Sequence, residues 1–173
     1  AGDVFSCSSD AATNEAYVKA SDGGEGDLYG EGVSLSSDGN TLAVGAIGED
    51  SNATGIGEGE DDNSAFAAGA VYVFSRSGIE WTQQAYVKAS NTNEGDHFGS
   101  SVSLSSDGNT LAVGAPNEGS NARGIGGDEG HNSRLVGAGA VYVFSRSDTK
   151  WTQQAYVKAS NTGRNDYFGY SVS

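Results

Sequence analysis

The 173-residue chain has no methionine, one proline and one cysteine, and only nine Lys and Arg against 23 Asp and Glu. Each scarcity excludes something. A lone cysteine, Cys7, permits no internal disulfide. It is a free thiol, an interchain bridge or half of a pair completed elsewhere. The net charge of −14 repels nucleic acid and anionic membrane surfaces, so neither is an expected partner. No apolar run is long enough to cross a bilayer, which argues against membrane insertion, and no segment keeps a helical period. A basic-plus-apolar leader is lacking as well. Ala1 already sits in register with Ala70, which places the natural start upstream or at a processing site. Two readings of the acid excess stay open, solubility in salty surroundings and binding of divalent cations.

What the chain does have is glycine, 27 residues of it, and a repeat. Tyr17, Tyr86 and Tyr156 open three AYVKAS segments spaced 69 and then 70 residues apart. The N-terminus is in phase too, with Val4-Phe5-Ser6 lying 69 residues before Val73-Phe74-Ser75. One unit is too poor in large apolar residues to fold alone. Neighbouring units must therefore bury each other's faces, as in array architectures.

The second copy shows the unit most clearly. His97 to Ser105 alternates apolar and polar residues and predicts a half-buried strand. Asp107-Gly108 then predicts a tight hairpin with positive φ at both central positions. Thr110 to Pro116 reads as a buried strand, Asn117 to Val136 as a long polar loop, and Gly137 to Arg146 and Trp151 to Ser160 as two more strands. Four hairpin-linked strands without a helix make one antiparallel sheet per repeat, the pattern of a propeller blade. The expected fold is all-β, about two and a half tandem four-stranded antiparallel β-propeller blades of roughly 70 residues each. The expected boundaries are a partial blade at 1–27 (its last two strands), blades at 28–96 and 97–166, and the first strand of a further blade at 167–173.

The unit resembles the FG-GAP repeat of integrin-α-like β-propellers and of bacterial surface proteins. Phe98-Gly99, Gly114-Ala115-Pro116 and the following GAVYVF strand carry the resemblance. Tyr29-Gly30 with Gly45-Ala46-Ile47, and Phe168-Gly169, are the other copies. The resemblance implies extracellular placement, a propeller, adhesion or ligand binding, and often calcium in an Asp-rich hairpin between the FG and GAP strands. Here that hairpin holds only Asp38 or Asp107. One carboxylate cannot supply the six to eight oxygens calcium takes, so both read as turn residues.

The long loop is the better candidate for calcium. Carboxylate and amide oxygens recur there on a glycine-rich backbone, which is hard-oxygen chemistry. The candidate ligands are Glu49, Asp50, Asn52, Glu60, Asp62 and Asn63 in the first copy, and Glu118, Asn121, Asp128, Glu129 and Asn132 in the second. The alternative is a solvated loop held by Asx-turns, with Gly55-Ile56 as its packing point. Asp27, Asp96 and Asp166, two residues before each FG aromatic, are expected to fix the turn that enters the strand. Trp81 and Trp151, with the recurring tyrosines, read as packing between blades, with sugar stacking as the sharper alternative. Lys19, Lys88 and Lys158 are expected to point outward along an edge strand.

No catalytic constellation is visible. His97 and His131 stand outside any motif, Cys7 has no base, and Gly55-Ile56-Gly57 opens no helix. The expected role is a non-catalytic, extracellular structural or adhesive module, with calcium the candidate stabilising ion. The alternative is a carbohydrate-binding propeller. Expected partners are other copies of the chain, or the rest of a longer propeller, besides an extracellular protein or glycan ligand. Self-association would complete the terminal blades into a ring or filament, with Cys7 one candidate staple at the seam.

Overall fold

The computed structural model describes residues 16–57, 59–127 and 135–173. These residues form eight strands and no helix. The first sheet comprises β1 (Tyr29–Leu35), β2 (Thr41–Ala46), β3 (Ala70–Ser77) and β4 (Glu80–Val87). The second comprises β5 (Ser101–Leu104), β6 (Thr110–Ala115), β7 (Ala140–Ser147) and β8 (Lys150–Val157). In each sheet the spatial order follows the chain order and every pair is antiparallel, the meander of a propeller blade. Ala16 to Ala20 enter no ladder, and residues 1–15 of the expected first partial blade lie outside the described residues.

Strand alternation sorts side chains by size. Ala70, Tyr72 and Phe74 share one face of β3, and Val71 and Val73 share the other. Register aligns Tyr72 with Val44 and Tyr86, so the large residues gather on one side of the sheet. The second sheet repeats this, with Tyr142 opposite Val113 and Tyr156. Each blade therefore has an aromatic face and a small aliphatic face. The main core lies between the sheets, where Phe98, Tyr142, Phe144, Trp151 and Tyr156 of the second blade pack with Ala43, Val71, Val73, Ala85 and Val87 of the first. Phe98 meets Tyr142 edge-on at 5.3 Å and Phe144 at 6.2 Å. Such pairs add about 0.5–1.5 kcal/mol each beyond burial. A smaller cluster on the aromatic face of the first blade holds Tyr72, Phe74 and Tyr86, with Val18 and Ala20 against it.

The FG and GAP segments are two halves of one joint. Phe98 N–H donates to Ala68 O at 3.0 Å, and Gly99 N–H donates to Gly114 O at 3.0 Å. A Cβ added to Gly45 would lie 2.0 Å from the carbonyl oxygen of Gly99. Only glycine lets the two backbones approach this closely. The joint recurs at the C-terminus, where Phe168 bridges Gly139 and a Cβ on Gly114 would lie 1.9 Å from Gly169 O.

Three details differ from the sequence reading. The predicted strand at His97 to Ser105 narrows to β5, because His97 and Gly99 take positive φ values of 56° and 92° and turn the chain into the joint. The predicted Trp151 to Ser160 strand ends at Val157. The Asp-Gly hairpins have positive φ only at Gly39 and Gly108. Gly39 N–H closes a turn on Ser36 O at 2.9 Å, and Ser36 and Thr41 pair beyond it, making a loop wider than the expected two-residue turn. The Asp38 carboxylate instead accepts from Ser36 Oγ at 2.6 Å and from the Asn40 N–H at 3.0 Å. Asp107 repeats this with Ser105 and Asn109. Those donors hold both carboxyls below the usual range, so the turn role expected for them is what the geometry shows.

Candidate functional site

The long loop leaves β2 after Ala46 and folds back along the outer strand of its own sheet. Gly55 N–H donates to Ala89 O at 3.2 Å, Lys88 N–H to Gly55 O at 2.7 Å, and Gly57 N–H to Tyr86 O at 3.1 Å. Ile56 thereby bridges Val87, and Ile125 bridges Val157 in the second blade. The loop thus covers the end of the outer edge, which blunts it against pairing with other strands.

This covering overturns the expectation for two lysines. Lys19 is exposed as expected, but Lys88 and Lys158 are buried, with Lys88 only 1% exposed. The loop closes over them and supplies a counter-charge. Lys88 Nζ lies 2.7 Å from Glu49 Oε2, and Glu49 is also 1% exposed. Lys158 pairs with Glu118 in the same way. Backbone finishes each carboxylate, since Ser51 N–H donates to Glu49 Oε1 at 3.1 Å and Ser120 N–H to Glu118 Oε1 at 3.0 Å. Asn91 Nδ2, from the end of the first blade, also donates to Glu118 Oε1, at 3.2 Å. Burial pushes the Lys88 ammonium down and the Glu49 carboxyl up from their usual values, each opposed by the other's charge.

The remaining candidate ligands are spread out. Asp50 Oδ1 accepts from the Ala67 N–H at 2.7 Å and pins the return of the loop. Asp62 Oδ1 accepts from Ser64 N–H at 2.8 Å and Ser64 Oγ at 2.6 Å, a local Asx-type turn that holds its carboxyl below the usual range. Glu60 accepts from Gln83 Nε2 at 2.9 Å and from Ser21. Asn52, Asn63 and Asn121 are exposed. Asp128, Glu129 and Asn132 lie outside the described residues. Among the described residues, no group of three or more His, Cys, Asp or Glu side chains comes together in a way that could hold a metal ion. The described side chains do not come together as a calcium set. The two most buried carboxylates face N–H donors and an ammonium, where calcium needs oxygens.

The second element of the site is the joint between blades. Gln84 Oε1 accepts from Arg146 Nη1 at 2.9 Å and from Trp151 Nε1 at 3.0 Å. Arg146 Nη2 reaches Thr41 Oγ1 at 3.1 Å, and its guanidinium stacks over Trp151 at 5.3 Å. Trp151 is 3% exposed, so its ring is packing and offers no open stacking surface to a sugar. Asn91 and Asp22 occupy equivalent places, accepting from the hydroxyls of Tyr142 and Tyr72 at 2.5 Å. Asp27 accepts the Gly24 N–H at 2.7 Å, the turn anchor expected for it.

A family model described as FG-GAP repeat matches residues 12–74 and 81–144, most of the chain. The chain belongs to the FG-GAP repeat family. The two matched segments end at Phe74 and Phe144, the same strand position in consecutive FG-GAP blades. FG-GAP repeats are propeller blades, generally structural or adhesion domains, and they typically occur in extracellular or surface proteins. No curated protein matches the chain.

The sequence reading missed two things. It missed the Lys–Glu pairs, although AYVKAS and the Glu of the long loop recur together and a recurring opposite pair was a readable signal. It also missed the division into aromatic and aliphatic faces, which the alternation in Ala70-Val71-Tyr72-Val73-Phe74 spells out.

Proposed function

We propose that this chain is a non-catalytic, extracellular structural and adhesive module that extends by end-to-end stacking, a second copy seating its rear blade face on the front face at β1. The observation that carries this reading is a difference between equivalent residues. Val102 is 8% exposed because the first blade covers it, while its counterpart Val33 is 59% exposed. At the other end, Ile56 packs into the core between blades, while its counterpart Ile125 is 77% exposed. The two end faces thus correspond to the two sides of the internal joint, and among the described residues only Val18 and Ala20 lie against the first, leaving Val33 open. An aromatic face that fits an aliphatic face is heterologous, and such contacts build rings or open filaments according to the rotation per step.

Sedimentation velocity across a concentration series tests it. The wild-type chain is expected to associate progressively. Val33→Asp and Ile125→Asp lie at exposed positions, keep the fold, and each blocks one face. Either variant alone is monomeric, and their mixture stops at a dimer joined through the two intact faces. A wild-type chain that stays monomeric at every concentration overturns the proposal, as does a mixture that stays monomeric.

A further inference from the structure

We propose that the ammonium of Lys88, and of Lys158 in the second blade, is the resident cation of the long loop, so that the blades fasten their loops without calcium. The loop is rich in oxygen ligands and closes over a buried carboxylate, an arrangement that needs a positive charge inside it. That charge is already attached to the chain. Lys88 and Glu49 are both 1% exposed and 2.7 Å apart, and the pair recurs in the second blade. The other donors at the carboxylates, Ser51 N–H, Ser120 N–H and Asn91 Nδ2, point hydrogens at the oxygens a metal would need.

The sequence changes between copies agree with this. Asp50, Asp61 and Asp62 of the first loop are replaced by Gly119, Gly130 and His131 in the second, where Asp128 is gained at the place of Gly59, while both members of the ion pair stay. Because the cation is tethered, its occupancy does not depend on the surrounding calcium concentration, and no entropy is lost in capturing a free ion.

Thermal unfolding in the Val33→Asp background, where association does not enter, tests the idea. The melting midpoint is expected to be the same with millimolar calcium and with a calcium chelator. Lys88→Met is expected to lower it by roughly ten degrees in both conditions, since it leaves a buried carboxylate unpaired. The double variant Glu49→Gln/Lys88→Met is expected to recover part of that loss. A midpoint that rises with calcium overturns the proposal, and so does a Lys88→Met chain that melts like its parent. Should Lys88→Met fail to fold, calorimetric titration of the parent chain with calcium decides. Absence of binding supports the proposal, and binding that Glu49→Gln abolishes overturns it.

Discussion

The two blades carry nearly the same residues and bury them differently. Thr41 is buried and receives Arg146, while its counterpart Thr110 is exposed. Val71 and Val73 are fully buried, while Val141 and Val143 are half-buried. Gln84 joins the blades, while Gln154 turns back on its own strand and donates to Thr152 Oγ1 at 2.8 Å. Composition cannot explain these differences, because the strands are almost identical. The neighbour explains them. A face in this architecture is finished by the next blade, so stability belongs to the joints as much as to the sheets.

The comparison is broken most strongly at the FG–GAP joint. Gly45→Ala places a methyl against the Gly99 carbonyl, and the two blades must separate to admit it. A loss of about 3 kcal/mol is expected in urea unfolding. Gly114→Ala meets the same geometry at Gly169, but the segment it displaces belongs to no strand and is easier to move. Its expected cost is about 1 kcal/mol. Equal losses would mean that the terminal joint is as well held as the internal one.

A smaller effect separates the two glutamines. Gln84→Ala removes acceptors from Arg146 and from the buried Trp151 indole, for an expected loss of about 1–2 kcal/mol. Gln154→Ala touches only its own strand and is expected to stay within about 0.5 kcal/mol of the parent. Association restores the symmetry. If the rear face docks a second copy, the cost of Gln154→Ala grows with protein concentration.

The smallest effect is shared by both blades. Asp38 and Asp107 have carboxyls lowered by their Ser and Asn donors. A group whose folded pKa lies below its unfolded value stabilises the fold above the unfolded value, near pH 4, and loses that contribution as pH falls through the folded one. The amides of Asn40 and Asn109 are therefore expected to lose hydrogen-exchange protection together, below about pH 4. Loss in only one blade would show that neighbour contacts govern the hairpins too.

Much of the fold was legible because it is local. The turn residues, the alternation of β strands and the recurrence of Tyr17, Tyr86 and Tyr156 depend on nearest neighbours along the chain. The candidate site was legible only in part. Glu49 was read as one candidate calcium ligand of the long loop, but the cation beside it lies 39 residues away at the end of β4. Lys88 was read from its strand as an outward edge residue, because an edge strand alone leaves lysine nowhere better to go. Only the fold-back of Gly55-Ile56-Gly57 turns that edge into an interior.

The sequence by itself determined the unit, the approximate place of its strands and turns, and the family to which it belongs, since periodicity and turn chemistry are properties of short segments. Tertiary structure decided which side chains meet: the ammonium beside Glu49, the glycine of FG against the glycine of GAP, and the aromatic face against the aliphatic one. Contacts of that kind form between segments far apart in the chain, and burial, which sets their energy, exists only once the neighbour is in place.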